Sequence, residues 1–277
     1  MKKALLIITF LSVALMQAQD VAFMSYNIRL DVASDGENAW DKRKEFLTNQ
    51  VKFYAPDVMG IQEGLPHQVS FIKESLPNYK FIGEGRNGGS IGEHSAIFFN
   101  TEKLTNVKQG TFWLSTTPHQ PSKGWDAAYP RICTYGKFKV SNSKKVFYVL
   151  NTHLDHRGEE ARKESVKLIL AKIKAINKEN LPVVLMGDFN SLPEDEAIKL
   201  LTNTMRDSYK EAKLTFGNEG TFNGFKADKI ADRRIDYIFT DKKSGLRIEK
   251  YATLTDSKAL KYPSDHFPVY VLLKMEE

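Results

Sequence analysis

The stretch VVLMGDFNS, residues 183–191, runs from four apolar residues through a glycine into Asp188, Asn190 and a hydroxyl. A short unbroken apolar run of this kind is typical of a strand that is covered on both faces. Because the run ends in oxygen-bearing side chains, we expect its carboxyl end to reach a functional edge of a sheet. A plain turn is the alternative interpretation, since Gly, Asp and Asn all favour turns.

Other apolar runs end in, or contain, the same kinds of residue. They place Asn27 in MSYNIRL, Glu63 in MGIQEG, His153 in NTHLDH, Asp236 in RRIDYIF, and Asp265 with His266 in YPSDHFPVY. Burying one unpaired carboxylate is costly, so this many acids beside apolar runs predicts a shared cation or protonated histidines. The oxygen-rich set favours Mg²⁺, with Mn²⁺ and Ca²⁺ left open. Zinc is disfavoured because no His/Cys set has tight spacing.

The remaining pattern predicts an α+β protein. Strand patterns cover residues 21–28, 58–62, 95–99, 131–140, 146–153, 183–186, 235–240, 248–254 and 268–273, and helical periodicity covers 40–54, 66–76, 159–177 and a helix beginning at Pro193. The strands dominate and do not alternate strictly with helices. Two stacked sheets with helices outside them fit this order best.

The amino-terminal sequence MKKALLIITFLSVALMQAQD has two lysines followed by an apolar run that ends at Met16. This pattern is typical of a secretory signal peptide and is shorter than the roughly 20 residues of a permanent membrane span. We therefore expect a signal peptide at residues 1–19, one domain at residues 20–277, a secreted or periplasmic location and no stable membrane insertion.

Composition sets further limits. Cys133 is the only cysteine, so no intrachain disulfide can form and a packed core must stabilise the protein. The formal net charge of +6 falls to +4 without Lys2 and Lys3, and the other lysines are scattered. The charge therefore favours an anionic partner only weakly, and nothing in the sequence indicates an obligate protein partner.

The ordered motifs, from Asn27 to His266, resemble those of the endonuclease/exonuclease/phosphatase superfamily, which has a DNase I-like fold. The segments SYNIRLD and NTHLDHRG are most similar in sequence to those of the deadenylase-like branch and its secreted bacterial relatives of unknown substrate. The resemblance implies a four-layer αββα sandwich with two mainly antiparallel sheets. It also implies that Glu63 is the principal metal ligand, with Asn27 and Asp265 close to the ion.

The same resemblance implies the catalytic roles. His153 would bind the scissile phosphate, Asp188 would orient or deprotonate the attacking water, and Asn190 would hold the phosphate or the nucleophile. His266 would contact the phosphate and pair with Asp236, which fixes its tautomer. Whether Asp188 or His266 takes the proton is left open.

Two further residues are candidates for substrate binding. Arg131 opens a strand where relatives often have a phosphate contact, with rim solvation as the alternative. His94 ends the glycine-rich segment GEGRNGGSIGEH, and an incidental loop histidine is the alternative. Trp113 and Trp125 would either stack on a substrate or brace their loop.

The predicted function is an exported, divalent-metal-dependent phosphoesterase. It would hydrolyse a phosphodiester or a phosphomonoester by in-line attack of water, and a nuclease acting on nucleic acid belongs to this class. The alternatives are a sphingomyelinase-like enzyme, a sugar or inositol phosphate hydrolase, and a binding module that has lost catalysis on the same fold. Residues 112–114 are the candidate apolar membrane loop that a sphingomyelinase-like enzyme would need.

Overall fold

The computed structural model describes residues 19–275, so the predicted signal peptide lies, apart from Gln19, outside the described residues. Thirteen strands occur in the described part: β1 (Gln19–Asn27), β2 (Val58–Gln62), β3 (Tyr79–Ile82), β4 (Ile97–Asn100), β5 (Leu104–Trp113), β6 (Ile132–Val140), β7 (Val146–His153), β8 (Val183–Asp188), β9 (Met205–Asp207), β10 (Leu214–Phe216), β11 (Asp236–Asp241), β12 (Leu246–Thr253) and β13 (Val269–Met275). The helices of the same range are a 3₁₀ helix (Ala33–Asn38), α1 (Trp40–Tyr54), α2 (Pro66–Ser75), α3 (Glu159–Ile176), α4 (Glu196–Thr204) and α5 (Ser208–Glu211).

The strands form two sheets. Across residues 19–275 the first sheet has the order β10-β12-β13-β1-β2-β4-β3, and the second has the order β5-β6-β7-β8-β11-β9. Three neighbouring pairs are parallel, namely β1 with β2, β7 with β8 and β10 with β12, and the others are antiparallel. The predicted α+β class with two stacked, mainly antiparallel sheets is therefore confirmed.

Strict alternation of side chains builds the four layers. In β1, Phe23 packs into the core between the two sheets, whereas Met24 points to the opposite face, where α1 and α2 pack. In β8, Val184 packs into the same central core, whereas Leu185 packs with α3 and α4. Each of these strands is thus covered on both faces, which explains why their sequences are nearly all apolar.

Some elements were not predicted because they lack an apolar pattern. The edge strand β5 has a mostly exposed or half-buried middle, and β3, β9 and β10 have only three or four residues each. The helix predicted from Pro193 begins instead at Glu196, so its predicted start was wrong. The reason is Asp195, which has an extended backbone and whose side chain accepts a hydrogen bond from the Leu192 N–H at 2.8 Å.

Residues 112–114 do not form an exposed apolar loop. Phe112, Trp113 and Leu114 are all buried, at most 5% exposed, and Phe112 and Leu114 belong to the core cluster that packs with α3 and α4. The hypothesis of a membrane-contacting loop at this position was therefore wrong. Within residues 19–275, no helix combines the length and the apolar character that crossing a bilayer requires.

The parallel pairs decide where the polar residues meet. Asn27 is in register with Gln62, the residue before Glu63, and His153 is in register with Asp188. Because parallel strands end at the same edge, each sheet brings two of the predicted site residues to one rim. The two rims face each other across the sandwich, and the candidate site lies between them.

Candidate functional site

The site begins with an amide that bridges two carboxylates from different sheets. Nδ2 of Asn27 donates to Oε1 of Glu63 at 3.0 Å and to Oδ2 of Asp188 at 2.9 Å. Oδ1 of Asn27 accepts from the Arg29 backbone N–H at 3.0 Å, which fixes the orientation of the amide. The amide nitrogen, not the oxygen, therefore faces the carboxylates. Metal ligation by the amide oxygen of Asn27 stays a prediction that this orientation does not support.

Asp188 is the most strongly confined carboxylate of the site. It is 1% exposed, and its Oδ1 accepts from the Asn190 backbone N–H at 2.9 Å. Burial, followed by the negative charge of Asp236, raises the pKa of Asp188 to about 7. The side chain is therefore poised to exchange a proton near neutral pH, which is the property of a general base.

Backbone conformation helps to present Asp188. Gly187 has φ of +150°, and a Cβ at this position would lie 2.0 Å from the carbonyl oxygen of Thr152 on the neighbouring strand. Only glycine fits such a close approach of two backbones. The glycine of VVLMGDFNS therefore serves strand packing just before the catalytic candidate.

His266 pairs with Asp236. Nδ1 of His266 lies 2.8 Å from Oδ2 of Asp236, and Thr221 donates its hydroxyl to the same oxygen at 2.6 Å. Burial opposes the charged imidazole, but the charge and hydrogen bond of Asp236, together with Asp188, raise the pKa of His266 to about 10. His266 is thus held as an imidazolium, with Nε2 at 3.9 Å from Oδ2 of Asp188. Arg234, two residues before Asp236 in the sequence, pairs instead with Asp207 at 2.8 Å.

His153 is held in the opposite protonation state. Nδ2 of Asn190 donates to the Leu154 carbonyl at 3.0 Å and contacts Nε2 of His153 at 3.0 Å, so Nε2 accepts a hydrogen bond. Burial, followed by the charges of Arg131 and His266, lowers the pKa of His153 well below its usual value. The site therefore contains one neutral and one charged imidazole.

The acidic residues fit a divalent cation. Ligand atoms of Glu63, His153 and Asp188 lie within 4.8 Å of one another. Burial, together with the negative charge of Glu63, raises the pKa of Asp265, although the positive charges of His266, Arg29 and Arg43 act in the opposite direction. Glu63, Asp188 and Asp265 thus offer carboxylate oxygens, which are the ligands that a hard divalent cation prefers.

Arg131 also lies between the two rims, but its guanidinium is hydrogen-bonded to neighbouring side chains. Its Nε donates to Oδ2 of Asp155 at 3.2 Å, and its Nη2 donates to Nδ1 of His156 at 3.0 Å. Since an arginine has no acceptor, Nδ1 of His156 must accept, and its Nε2 carries the proton. Asp155, two residues after His153, accepts the N–H groups of Arg157 and Gly158 at 3.0 and 2.9 Å.

We expect the change Asp155→Asn to destabilise the fold in a pH-dependent way. Backbone N–H groups and Arg131 hold the pKa of Asp155 below its usual range despite burial. A depressed pKa contributes stability that is complete above the unfolded value of about 4 and is lost as the pH falls below it. The substitution should cost about 3 kcal/mol of unfolding free energy at pH 7, because it leaves Arg131 without its buried partner. Urea unfolding at pH 7 and pH 3 measures this difference, and a cost that stays constant between the two would contradict it.

His94 lies beside the cleft rather than in its main part. Its Nδ1 donates to the carbonyls of Gly64 and Gly92 at 3.2 and 3.1 Å, which ties the glycine-rich loop to the residue after Glu63. It lines a small recess together with Glu63 and Arg131. Its predicted contact with substrate stays a prediction. Trp113 is buried and donates from Nε1 to the Arg86 carbonyl at 2.7 Å, so it braces this loop.

Most of these side chains border one cleft of about 460 Å³, whose lining does not include the predicted residues Asn27, Asp236 and His94. The cleft residues predicted from the sequence are Glu63, Arg131, His153, Asp188, Asn190, Asp265 and His266. The cleft residues that were not predicted include Arg29, Arg86, Glu93, Tyr129, His156, Phe222 and Arg233. Arg86 and Glu93 lie within the segment GEGRNGGSIGEH, whose glycines were the only sequence signal for them.

A second group that the sequence did not identify holds the two sheets in register below the cleft. Nδ2 of Asn151 donates across the sandwich to the carbonyls of Ile61 and Ala96 at 2.8 and 2.9 Å, and its Oδ1 accepts from Gln62 at 2.7 Å. Arg43 of α1 donates to the carbonyls of Ile28 and Pro263 at 2.6 and 3.1 Å. These bonds fix the loops that carry Glu63 and Asp265.

Comparison with known proteins agrees with this geometry. A family model described as Endonuclease/Exonuclease/phosphatase family matches residues 24–266. A solved endonuclease/exonuclease/phosphatase family protein of Bacteroides thetaiotaomicron is 38% identical with a TM-score of 0.89, and the match covers 94% of this chain and 99% of that one. A solved mannosyl-6-phosphatase of the same organism is 39% identical with a TM-score of 0.87, over 91% of this chain and 99% of that one.

One curated relative is more distant. An uncharacterized protein of Acanthamoeba polyphaga mimivirus is 31% identical over 180 residues, which is 61% of this chain. The chain spans 64% of that protein's length.

Proposed function

Because this chain belongs to the endonuclease/exonuclease/phosphatase family, whose model spans residues 24–266, we propose that it is a divalent-metal-dependent phosphoesterase that hydrolyses a phosphomonoester of a sugar. Members of this family are hydrolases that act on phosphoesters. The observation that carries the proposal is the meeting of Glu63, Asp188, His153 and His266 within one cleft. These are the groups that attack of water on phosphorus requires.

The two histidines and Asp188 have different roles in the proposed hydrolysis. His266 is protonated and faces the cleft with Nε2, so it is suited to stabilise negative charge on the phosphoryl oxygens. It already carries its proton near neutral pH, so it cannot also act as the base. Asp188, with a pKa of about 7, is the group that takes the proton of the attacking water. Asn190 orients Asp188 through its backbone and His153 through its side chain.

Glu63 and Asp265 would hold the metal ion, with Mg²⁺ favoured over Mn²⁺ or Ca²⁺. When bound, the ion would polarise the phosphoryl group and steady the leaving oxygen. Asn27 holds Glu63 and Asp188 at a fixed separation through its amide nitrogen.

A small substrate is favoured over a long nucleic acid. The cleft of about 460 Å³ lies within the range of about 300–1,000 Å³ that is typical of small-molecule sites. The formal net charge of +6 is modest for a protein that binds a polyanion. The neighbour of 39% identity named a mannosyl-6-phosphatase gives further support. A nuclease, an inositol phosphate hydrolase and a sphingomyelinase-like enzyme are the rival substrate classes.

A panel of substrates tests the proposal. With Mg²⁺ the purified protein should release phosphate from hexose 6-phosphates, and excess chelator should abolish the release. Full activity in chelator would refute the metal dependence. Cleavage of DNA, RNA or sphingomyelin without hydrolysis of sugar phosphates would refute the substrate class. Failure to cleave any member of the panel would favour an inactive binding module.

We also propose export, which rests on the lysines and the apolar run of residues 2–16. Expression of the whole chain in a bacterium, followed by fractionation and amino-terminal sequencing of the product, tests it. A product that retains residues 1–19 and stays in the cytoplasm would refute it.

A further inference from the structure

One wall of the cleft consists of an ion pair and two stacked rings that the hydrolysis step does not use. Nη1 of Arg86 lies 2.8 Å from Oε1 of Glu93, and the two side chains are 17% and 13% exposed. The Tyr129 ring lies flat against His156, with centroids 6.0 Å apart and an angle of 19°. The guanidinium of Arg86 lies 4.8 Å from the centroid of Tyr129. Each of these four residues borders the same cleft as Asp188.

The part of this wall that carries Arg86 and Glu93 is rigidly built. Arg86 and Glu93 face each other across a hairpin in which the Arg86 N–H donates to the Glu93 carbonyl at 2.9 Å. A Cβ on Gly85 would lie 2.2 Å from the Ile91 carbonyl oxygen, so the hairpin is tightly closed. Trp113 and His94 tie the loop to β5 and to the residue after Glu63. The side chains are therefore held in place before any substrate binds, which lowers the entropic cost of recognition.

We infer that Arg86, Glu93 and Tyr129 form the specificity site for the uncharged, hydroxyl-rich part of the substrate. The inference rests on the proposed function and deepens it. A carboxylate beside a guanidinium offers one acceptor and several donors at fixed spacing, and a sugar hydroxyl both donates and accepts. Tyr129 is 49% exposed, so the part of its ring that Arg86 and His156 leave uncovered gives an apolar surface for the C–H groups of the sugar.

The charge of Glu93 also argues for this class of substrate. A second phosphate group near the scissile one would lie close to the carboxylate and be repelled by it. The Glu93 side chain is only 13% exposed, so water screens its charge less than it screens that of a surface carboxylate. Polyphosphorylated inositols and nucleic acid chains are therefore disfavoured here, whereas the neutral ring of a monophosphorylated sugar is accepted.

The test compares substrates within each variant. We expect Glu93→Gln to lower the ratio of kcat/KM for hexose 6-phosphate over phenyl phosphate, which has no hydroxyls, by about tenfold or more. Activity towards a hexose bisphosphate should rise relative to the monophosphate, because the repelling charge is gone. Glu84→Gln is the matched control: it makes the same change on an exposed residue of the same segment and should leave both ratios as in the wild type.

Variants of Tyr129 show whether a lower ratio in Glu93→Gln could be due to misfolding. Tyr129 is 49% exposed, so Tyr129→Ala should fold normally and still lower the hexose over phenyl ratio, whereas Tyr129→Phe should keep it. Unchanged ratios in both Glu93→Gln and Tyr129→Ala would overturn the inference.

A binding measurement separates this inference from the proposed function. Calorimetry of hexose 6-phosphate with Asp188→Asn, and with Asp188→Asn combined with Glu93→Gln, reports the site without turnover. Weaker binding in the double variant supports the specificity site even if the wild type cleaves no phosphoester, in which case only the proposed function fails. Equal binding in the two overturns the specificity site even if the wild type is an active phosphatase.

Discussion

Replacement of Asp188 by Asn is expected to reduce kcat by about three orders of magnitude, which is the size of a lost general base. The reason lies in the surroundings of Asp188. Burial and Asp236 bring its pKa to about 7, so its carboxyl can accept a proton during the reaction, whereas an amide cannot. His266 cannot take over, because Asp236 and Asp188 keep it protonated. Steady-state kinetics on a hexose 6-phosphate with saturating Mg²⁺ measures the loss.

The stability of the same variant provides the control. A raised pKa means that ionised Asp188 destabilises the folded state, increasingly as the pH rises from about 4 towards 7. Without divalent ions at pH 8, Asp188→Asn should therefore unfold at a denaturant concentration at least as high as the wild type. Asp228→Asn, on an exposed loop residue, should retain wild-type turnover. If Asp188→Asn remained within tenfold of the wild type, Asp188 would not be the base.

The second large effect is expected for Glu63→Gln, which should weaken divalent-ion binding by about 10- to 100-fold or more and lower kcat in parallel. Both carboxylate oxygens of Glu63 accept hydrogen bonds, one from Asn27 and one from the Leu30 N–H, each at 3.0 Å. In the variant, an amide oxygen and an NH₂ group replace the two carboxylate oxygens. The negative charge is lost, and the NH₂ group faces either Asn27 or the Leu30 N–H, which are both donors. Calorimetric titration with Mg²⁺, or electron paramagnetic resonance with Mn²⁺, reads the binding directly.

An exposed glutamate gives the comparison for Glu63. Glu74→Gln makes the same change on the surface of α2 and should bind the ion as the wild type does. If Glu63→Gln bound Mg²⁺ with unchanged affinity, the assignment of Glu63 as the principal ligand would be wrong. Higher Mg²⁺ concentrations should partly restore the turnover of the variant if weaker ion binding is the cause.

Much of the fold could be predicted because buried strands have an unmistakable pattern. The runs at β2, β7 and β8 are nearly all apolar, and their observed bounds differ from the predicted ones by two residues at most. The edge strand β5 was not predicted, because its middle residues face solvent and have no alternation. Helix α4 was placed too early because the sequence does not show that Asp195 would bond back to Leu192.

The site could be predicted to the extent that its residues sit at strand ends. Asp188 ends β8 and His266 shortly precedes β13, so their motifs were visible in the sequence. Glu93 and Tyr129 were not, because a loop brings them to the cleft and no periodicity describes a loop. The orientation of the Asn27 amide was also beyond the sequence, since it depends on the Arg29 N–H, two residues further on.

The pairing of β1 with β13 limits when the first sheet can form during synthesis. Gln19 of β1 lies opposite Met275 of β13, so the earliest strand of the described chain completes its sheet only with the latest one. During synthesis the ribosome must release nearly the whole polypeptide before Asp265, His266 and β13 can dock. Contacts this distant in sequence make folding slow. A nascent chain truncated before residue 260 should therefore have no hydrolase activity, even if its earlier segments have already collapsed.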